Sequence, residues 1–249
     1  MIKQTILFDL DDTLIHCNKY FDLVIEQFAD LMEMYFHTYH VPTEEIKKKQ
    51  AEADLDRVMR LGFDPNHFPE SFVETYDYFS DLTGRPKNSD EIARLTEIGK
   101  TVYGHSIEPY PGMKETLTQL ETEGHELHLY TGGDRMIQMR KVTEADLERF
   151  FGSNIHVTRH KTDEYLEQLI TEQQFDRKST WMIGNSLRTD VTPALKAGLN
   201  TIFMPALQEW IYNHVDIDTE PQGAFLTLAS LYEIPEAIRS YLSSTSSDM

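Results

Sequence analysis

The sequence predicts an α/β protein, a parallel-sheet core interrupted directly after its first strand by an all-helical domain. Three observations carry this prediction. Residues 5–8, Thr-Ile-Leu-Phe, form an unbroken β-branched and aromatic run suited to a strand buried on both faces, and the chain turns acidic immediately afterwards. Residues 19–103 show only the three- and four-residue apolar spacing of helices. Beyond the segment Ile-Glu-Pro-Tyr-Pro-Gly at 107–112, helix and strand patterns alternate to about residue 204, as in a parallel sheet with crossover helices. The first strand therefore belongs to the later sheet. Residues 1–15 and 106–249 are expected to form the core domain and residues 16–105 the helical insertion.

Within the insertion, Tyr20, Leu23, Val24, Phe28, Leu31 and Tyr35 lay one apolar face along a first helix. Thr43 is placed to cap a second, with Glu44 and Glu45 in its first turn and Gly62 at its end. Phe72, Val73, Tyr76, Phe79 and Leu82 mark a third, closed by Gly84; Ser89 opens a fourth carrying Ile92, Leu95, Ile98 and Val102 on one side. Four helices with short connections read as a bundle whose aromatic stripe is its core.

In the core domain, residues 114–123 read as a helix stopped by Gly124, 126–131 as the second strand and 135–151 as a helix in two pieces. Residues 154–158 give the third strand, and 163–173 an amphipathic helix with Tyr165, Leu166, Leu169 and Ile170 inward. The fourth strand is 180–184, followed by a helix at 189–197 stopped by Gly198 and a fifth strand at 201–204. Residues 204–223 have no regular pattern. An edge strand at 225–228 and a final helix at 234–242, entered through Pro235, complete the reading, and the polar tail from 243 is expected to be disordered.

At 249 residues the chain can bury a sizeable core. A net charge of −19 argues against nucleic-acid and anionic-membrane partners while leaving room for a small anionic substrate. No apolar run approaches the ~18 residues of a membrane span, and the acids at 9–12 interrupt any signal-peptide core, so a cytoplasmic location is expected. The lone Cys17 fits a reducing compartment and a packing role. A monomer and a homodimer are equally compatible with the sequence.

Asp9, Asp11 and Asp12 fall just past the first strand, in the crevice where open α/β sheets bind ligands. If the extended geometry continues, Asp9 and Asp11 point the same way, and two carboxylates aimed at one place call for a cation or a shared proton. Asx-turns and capping of the next helix are the alternative use of such acids.

Asp9, Asp11 and Thr13 match D-x-D-x-[TV], and the stretch resembles the first signature of the haloacid dehalogenase (HAD) superfamily. Thr131, followed by Gly132 and Gly133, resembles the second, a strand ending in Thr or Ser. Lys161, ahead of the 163–173 helix, resembles the third, a basic residue, with Arg159 as a competitor; Thr162 stands where the family often has proline. Ile-Gly-Asn-Ser-Leu-Arg-Thr-Asp at 183–190 resembles the fourth, with Asn185 in the usual first acidic place and Asp190 in the second.

The resemblance implies a Rossmann-like, HAD-like core with the first strand central and a helical cap of the C1 type. It further implies a Mg2+-dependent phosphatase of small phosphate esters. Asp9 would be the nucleophile and Asp11 the acid and base. Thr131, Gly132 and Lys161 would hold the phosphoryl oxygens, and Asp9, Asp11 through its carbonyl, Asn185 and Asp190 would hold the metal. Rival readings are a 2-haloacid dehalogenase, which resembles these enzymes but lacks the acid at the place of Asp11, a carbon–phosphorus hydrolase, and a catalytically silent binding protein. Residues 16–20 and 63–69 are candidate recognition surfaces, where His67 and Arg60 either meet an anionic group or stay solvated; Trp210 and His214, in the irregular segment, either pack near the site mouth or cover the core.

Overall fold

The computed structural model describes residues 2–246. Its contacts divide the chain into a helical unit, Lys19–Ser106, and an α/β unit made of the segments on either side.

The α/β unit is built on six parallel strands: β1 (Thr5–Phe8), β2 (Glu126–Gly132), β3 (Ile155–Thr158), β4 (Thr180–Gly184), β5 (Asn200–Phe203) and β6 (Phe225–Thr227). They lie in the order β3-β2-β1-β4-β5-β6, so β1 is central, with Thr5 in register with Glu126 on one side and Thr180 on the other. The two-residue period sorts side chains between the faces. Ile6, Phe8, Leu129, Trp181 and Ile183 enter one apolar cluster, and Leu7, Tyr130 and Met182 enter the other. The first cluster is closed by the helices Met113–Thr122 and Ile234–Ser246, the second by Asp163–Gln173 and Thr192–Lys196. Being sandwiched is why these strands read as continuous apolar runs.

The helical unit contains α1 (Asn18–Phe36, its first residue contributed by the α/β segment), α2 (Thr43–Leu61), α3 (His67–Thr83) and α4 (Ser89–Thr101). Val24, Phe28, Met32, Phe36, Phe68, Phe72, Tyr76, Phe79 and Leu95 form its core, whereas Leu23 and Leu82 face solvent. Gly62 and Gly84 end α2 and α3 with positive φ, the conformation in which glycine carries no Cβ penalty.

Some local expectations are corrected. Thr43 does not cap α2; Pro42 precedes it, and its carbonyl receives the Glu45 and Ile46 amides. Asn88 rather than Ser89 caps α4, its Oδ1 accepting the Asp90 amide at 2.8 Å. Residues 63–69 are not all connection, since α3 starts at His67 and Phe68 is in the bundle core. The remaining helices of the α/β unit are α5 (Met113–Thr122), α6 (Arg135–Glu144), α7 (Glu148–Phe151), α8 (Asp163–Gln173), α9 (Thr192–Lys196) and α10 (Ile234–Ser246). The break between α6 and α7 comes at Asp146, whose φ is 57°.

The helix expected at 189–197 is instead a wide π-type turn, Leu187–Val191, running into α9. Asp190 helps set that turn by accepting the Ser186 amide on its side chain. The last helix extends past Leu242 because the hydroxyls of Ser243, Ser244 and Thr245 bond back to carbonyls of Arg239 and Tyr241, while residues 247–249 lie outside the described residues.

Candidate active site

The residues of the four signatures lie at or just beyond the carboxyl ends of β1, β2, β3 and β4. After β1 the chain folds into a tight turn, with the Leu14 and Ile15 amides donating to the Leu10 carbonyl and Asp12 at φ 58°. This turn sends the three aspartates to different tasks. Asp12 accepts the Cys17 and Asn18 amides at 3.0 and 2.9 Å, capping the start of α1, and its burial pushes its pKa up to about 7 against the help of those two bonds.

Asp9 is buried. Its Oδ2 accepts the Thr13 hydroxyl at 3.0 Å and its Oδ1 accepts the Lys161 ammonium at 2.7 Å. The same ammonium reaches Asp190 Oδ1, while Asp190 Oδ2 accepts the Ser186 amide at 2.9 Å. A Cβ at Gly184 would overlap Asp190 Oδ2, so only glycine lets this carboxylate come so close to the end of β4. Lys161 is 5% exposed and lies 4.8 Å from the centre of the Tyr130 ring, whereas Arg159 is exposed; of the two basic candidates, Lys161 is the one on Asp9.

One ammonium between two buried carboxylates leaves net negative charge in a dry place. Burial accordingly pushes Asp9 up to about 7, with Lys161 opposing and Asp190 adding to the shift. Lys161 is held above its ordinary range: burial works against its charge, and Asp190 and Asp9 outweigh it.

Asp11 does not share these partners. Both its oxygens accept from Lys141 at 2.8 Å, and Oδ2 also accepts from Gln138 at 2.9 Å. Gln138 further contacts Thr131 Oγ1 at 2.6 Å and the Gly132 carbonyl at 3.1 Å, so the two residues of the second signature are tied to Asp11 through one amide. Neither Gln138 nor Lys141 was singled out in the sequence. Their signal was a three-residue spacing on a helix that begins just past the end of β2, with Asp134 as its cap. Cys17 lies 3.8 Å from the Lys141 nitrogen, and burial together with Asp11 drives its thiol well above the ordinary range, away from the reactive thiolate.

The other candidates are engaged elsewhere. Within the helical unit His67 Nδ1 is 3.1 Å from the Gly62 carbonyl, and Arg60 pairs with Asp56 at 2.6 Å. Trp210 stacks on Tyr212 and His214 pairs with Glu209.

A hard divalent cation fits the donors around Asp9. No group of three or more His, Cys, Asp or Glu side chains forms a ready cage among the described residues, but Mg2+ keeps several waters and needs few protein ligands. Asp9, Asn185 and Asp190 offer oxygen donors only, and the cluster has negative charge to neutralise. Asn185, 4% exposed, spends its side chain on no hydrogen bond to another described residue, whereas both Asp190 oxygens already accept. Asn185 is thus the less committed of the two fourth-signature donors.

Known proteins resemble the chain in sequence and in fold. The chain is 24% identical over 238 residues to the pyrimidine 5'-nucleotidase PynA of Streptococcus pneumoniae, covering 90% of this chain and 91% of that protein. It is 23% identical over 208 residues to the glyceraldehyde 3-phosphate phosphatase of Pyrococcus abyssi, covering 82% and 81%. Among solved structures, a haloacid dehalogenase-like family hydrolase from Xanthomonas campestris superposes with a TM-score of 0.76 at 24% identity, covering 96% of each chain. The HAD-hydrolase YfnB of Bacillus subtilis, in a structure bound to magnesium, gives 0.65 at 19% identity, covering 95% and 99%. The sequence profile of the haloacid dehalogenase-like hydrolases matches residues 6–204, and with the central β1, the helical insertion behind it and the Asp9–Lys161–Asp190 cluster at the strand ends, the chain belongs to that family.

Proposed function

We propose that this hydrolase is a Mg2+-dependent phosphatase of small phosphorylated metabolites, working through an aspartyl phosphate on Asp9. The observation that carries the reading is the second acid, Asp11, held two residues from the nucleophile by its own lysine. Dehalogenation has no use for a proton donor there, whereas departure of an alkoxide does. The nucleotidase and phosphatase relatives and the magnesium-bound neighbour support the same reading. A catalytically silent binder would have no need to keep two buried carboxylates in mutual repulsion.

The Asp9 carboxylate attacks phosphorus in line as the bond to the leaving oxygen breaks, and that oxygen takes a proton from Asp11. Water then attacks phosphorus, giving its proton to Asp11 and releasing inorganic phosphate and the Asp9 carboxylate. Lys161 holds positive charge beside the phosphoryl oxygens, and Thr131 with the Gly132 backbone offers them further donors. Mg2+, held by Asp9, the Asp11 carbonyl, Asn185 and Asp190, would supply the charge that lets an anionic nucleophile approach an anionic ester.

The test is steady-state phosphate release from aryl and alkyl monophosphates, with and without Mg2+, for the wild type and Asp9→Asn. Turnover that requires Mg2+ and falls by ~10³-fold or more in the variant is expected. Absence of Mg2+-dependent turnover across a broad metabolite panel, or full activity in Asp9→Asn, would sink the proposal.

A further inference from the structure

The two acids of the D-x-D stretch are served by different bases from different elements. Lys161, ahead of α8, joins Asp9 to Asp190; Lys141, on α6, pairs with Asp11 alone among the carboxylates of the described residues. One turn before Lys141 on the same helix, Gln138 is 2% exposed and places a single amide nitrogen within 3.1 Å of three oxygens: Asp11 Oδ2, Thr131 Oγ1 and the Gly132 carbonyl. Two of these oxygens, a carboxylate's and a carbonyl's, can only accept, which fixes that end of the amide as the nitrogen. The short contact to Thr131 is therefore a bond in which Gln138 donates. A hydroxyl that receives such a bond keeps its own hydrogen for another acceptor, and the amide's two hydrogens cannot serve all three oxygens at full strength.

Resting on the phosphatase reading, we infer that Gln138 and Lys141 are positioning residues: a clamp on one face of α6 that fixes the Asp11 carboxylate for proton transfer and turns the Thr131 hydroxyl outward as a phosphate donor. The clamp touches neither Asp9 nor the reacting phosphorus. Its contribution is orientation, and misplacing a proton-transfer group by about an ångström costs on the order of 10²-fold in rate. Lys141 fixes both carboxylate oxygens, which a single donor would leave free to rotate. Gln138 links that carboxylate to Thr131, so the group handling the proton and the group holding the phosphoryl oxygens move as one piece.

The experiment uses Lys141→Met, Lys141→Arg and Gln138→Leu in the full chain with Mg2+ present. Each is followed by rapid-quench kinetics on an aryl and an alkyl monophosphate, with thermal unfolding as the folding control. A phenolate leaves without an acid, whereas both alkoxide departure and hydrolysis of the aspartyl phosphate need Asp11. In Lys141→Met, kcat should therefore fall ~10–100-fold on both esters with KM changed less than about 3-fold, and the aryl ester should show a new burst of phenolate approaching one per site. On the alkyl ester no burst is expected. Arginine, which can also give two donors to one carboxylate, should restore most of the rate. Gln138→Leu should raise KM as well as lower kcat, because Thr131 loses its orientation.

A variant that merely folds badly loses burst and steady-state rate together on both esters, and that pattern in Lys141→Met and Gln138→Leu alike would overturn the clamp. Unchanged kcat in Lys141→Met would overturn it too. A wild type without turnover on any ester overturns the phosphatase reading and the clamp with it, whereas an active wild type beside an unaffected Lys141→Met overturns the clamp alone.

Discussion

The two units bury different things. In the helical unit the core is rings on rings, with Phe28 stacked on Phe72 at 4.1 Å and Phe68 against Phe72 at 4.8 Å. Its fully buried polar side chains are uncharged or imidazole, and Gln50 donates to the Ser71 hydroxyl, which in turn donates to the Phe68 carbonyl. In the α/β unit the strands are as apolar, yet Asp9, Asp12, Lys161 and Asp190 are all buried beyond their carboxyl ends. Buried charge is concentrated where chemistry can use it, and packing elsewhere carries the cost. Perturbing each region should therefore move stability in opposite directions.

The largest effect is expected from the aromatic core. Phe72→Ala removes a ring fully enclosed among Phe28, Phe68 and their neighbours, and should destabilise the helical unit by about 3–5 kcal/mol, with little dependence on pH. Denaturant unfolding at pH 6 and pH 8 checks this. A loss below about 1 kcal/mol would mean that the bundle can collapse around the missing ring, and the contrast between the units would weaken.

The carboxylate cluster should behave the other way. Asp9 titrates near 7 when folded against 3.8 as a free side chain, so between those values the folded protein holds a proton that the unfolded chain has released. Stability then falls as pH rises through that window, and the full penalty is present above about 7. Asp9→Asn should accordingly inactivate the enzyme while stabilising the metal-free protein at pH 8 by roughly 2 kcal/mol, with no such gain at pH 4. Lys161 is left paired with Asp190 alone. The slope will be reduced rather than abolished, since Asp12 is raised in the same way. Added Mg2+ should flatten the wild-type slope and leave that of Asp9→Asn unchanged; thermal midpoints across pH, with and without the ion, decide it.

How far the sequence disclosed these regions follows from what is local. Strands β1 and β4 and helix α8 begin and end where the apolar runs and their caps put them, because a strand covered on both faces needs an unbroken run, and topology then forces Asp9, Thr131, Lys161, Asn185 and Asp190 to one end of the sheet. Choices between adjacent residues were less legible. Asn88 won over Ser89, and the Pro42 carbonyl took the place of a Thr43 cap, because neighbours compete for the same orphan amides. Gln138 and Lys141 left only their three-residue spacing on a helix after β2, too weak a mark to single them out. Arg-Met-Ile-Gln-Met-Arg-Lys reads as a solvated helix, and what these two side chains do depends on a turn more than a hundred residues earlier in the chain. Capping of the next helix was legible as a use for these acids, but not which of Asp9, Asp11 and Asp12 would take it: they look alike until the turn gives Asp12 to α1.

The smallest expected effect is the sharpest test of the charge accounting. Asn185 offers an oxygen without a charge beside a cluster that is already net negative. Asn185→Asp adds a carboxylate where a divalent ion would be held, so the ion gains attraction and the metal-free protein gains repulsion. The Mg2+ concentration for half-maximal rate should drop ~3–10-fold, while the metal-free thermal midpoint falls and recovers on adding the ion. If the midpoint falls but the Mg2+ requirement does not, Asn185 feels the cluster without facing the ion, and Asp9 with Asp190 would have to hold it. Each Asp190 oxygen accepts one bond, from Lys161 or from the Ser186 amide, and keeps a second lone pair with which to meet the ion, so the metal would then rest on a carboxylate already held in place by both partners.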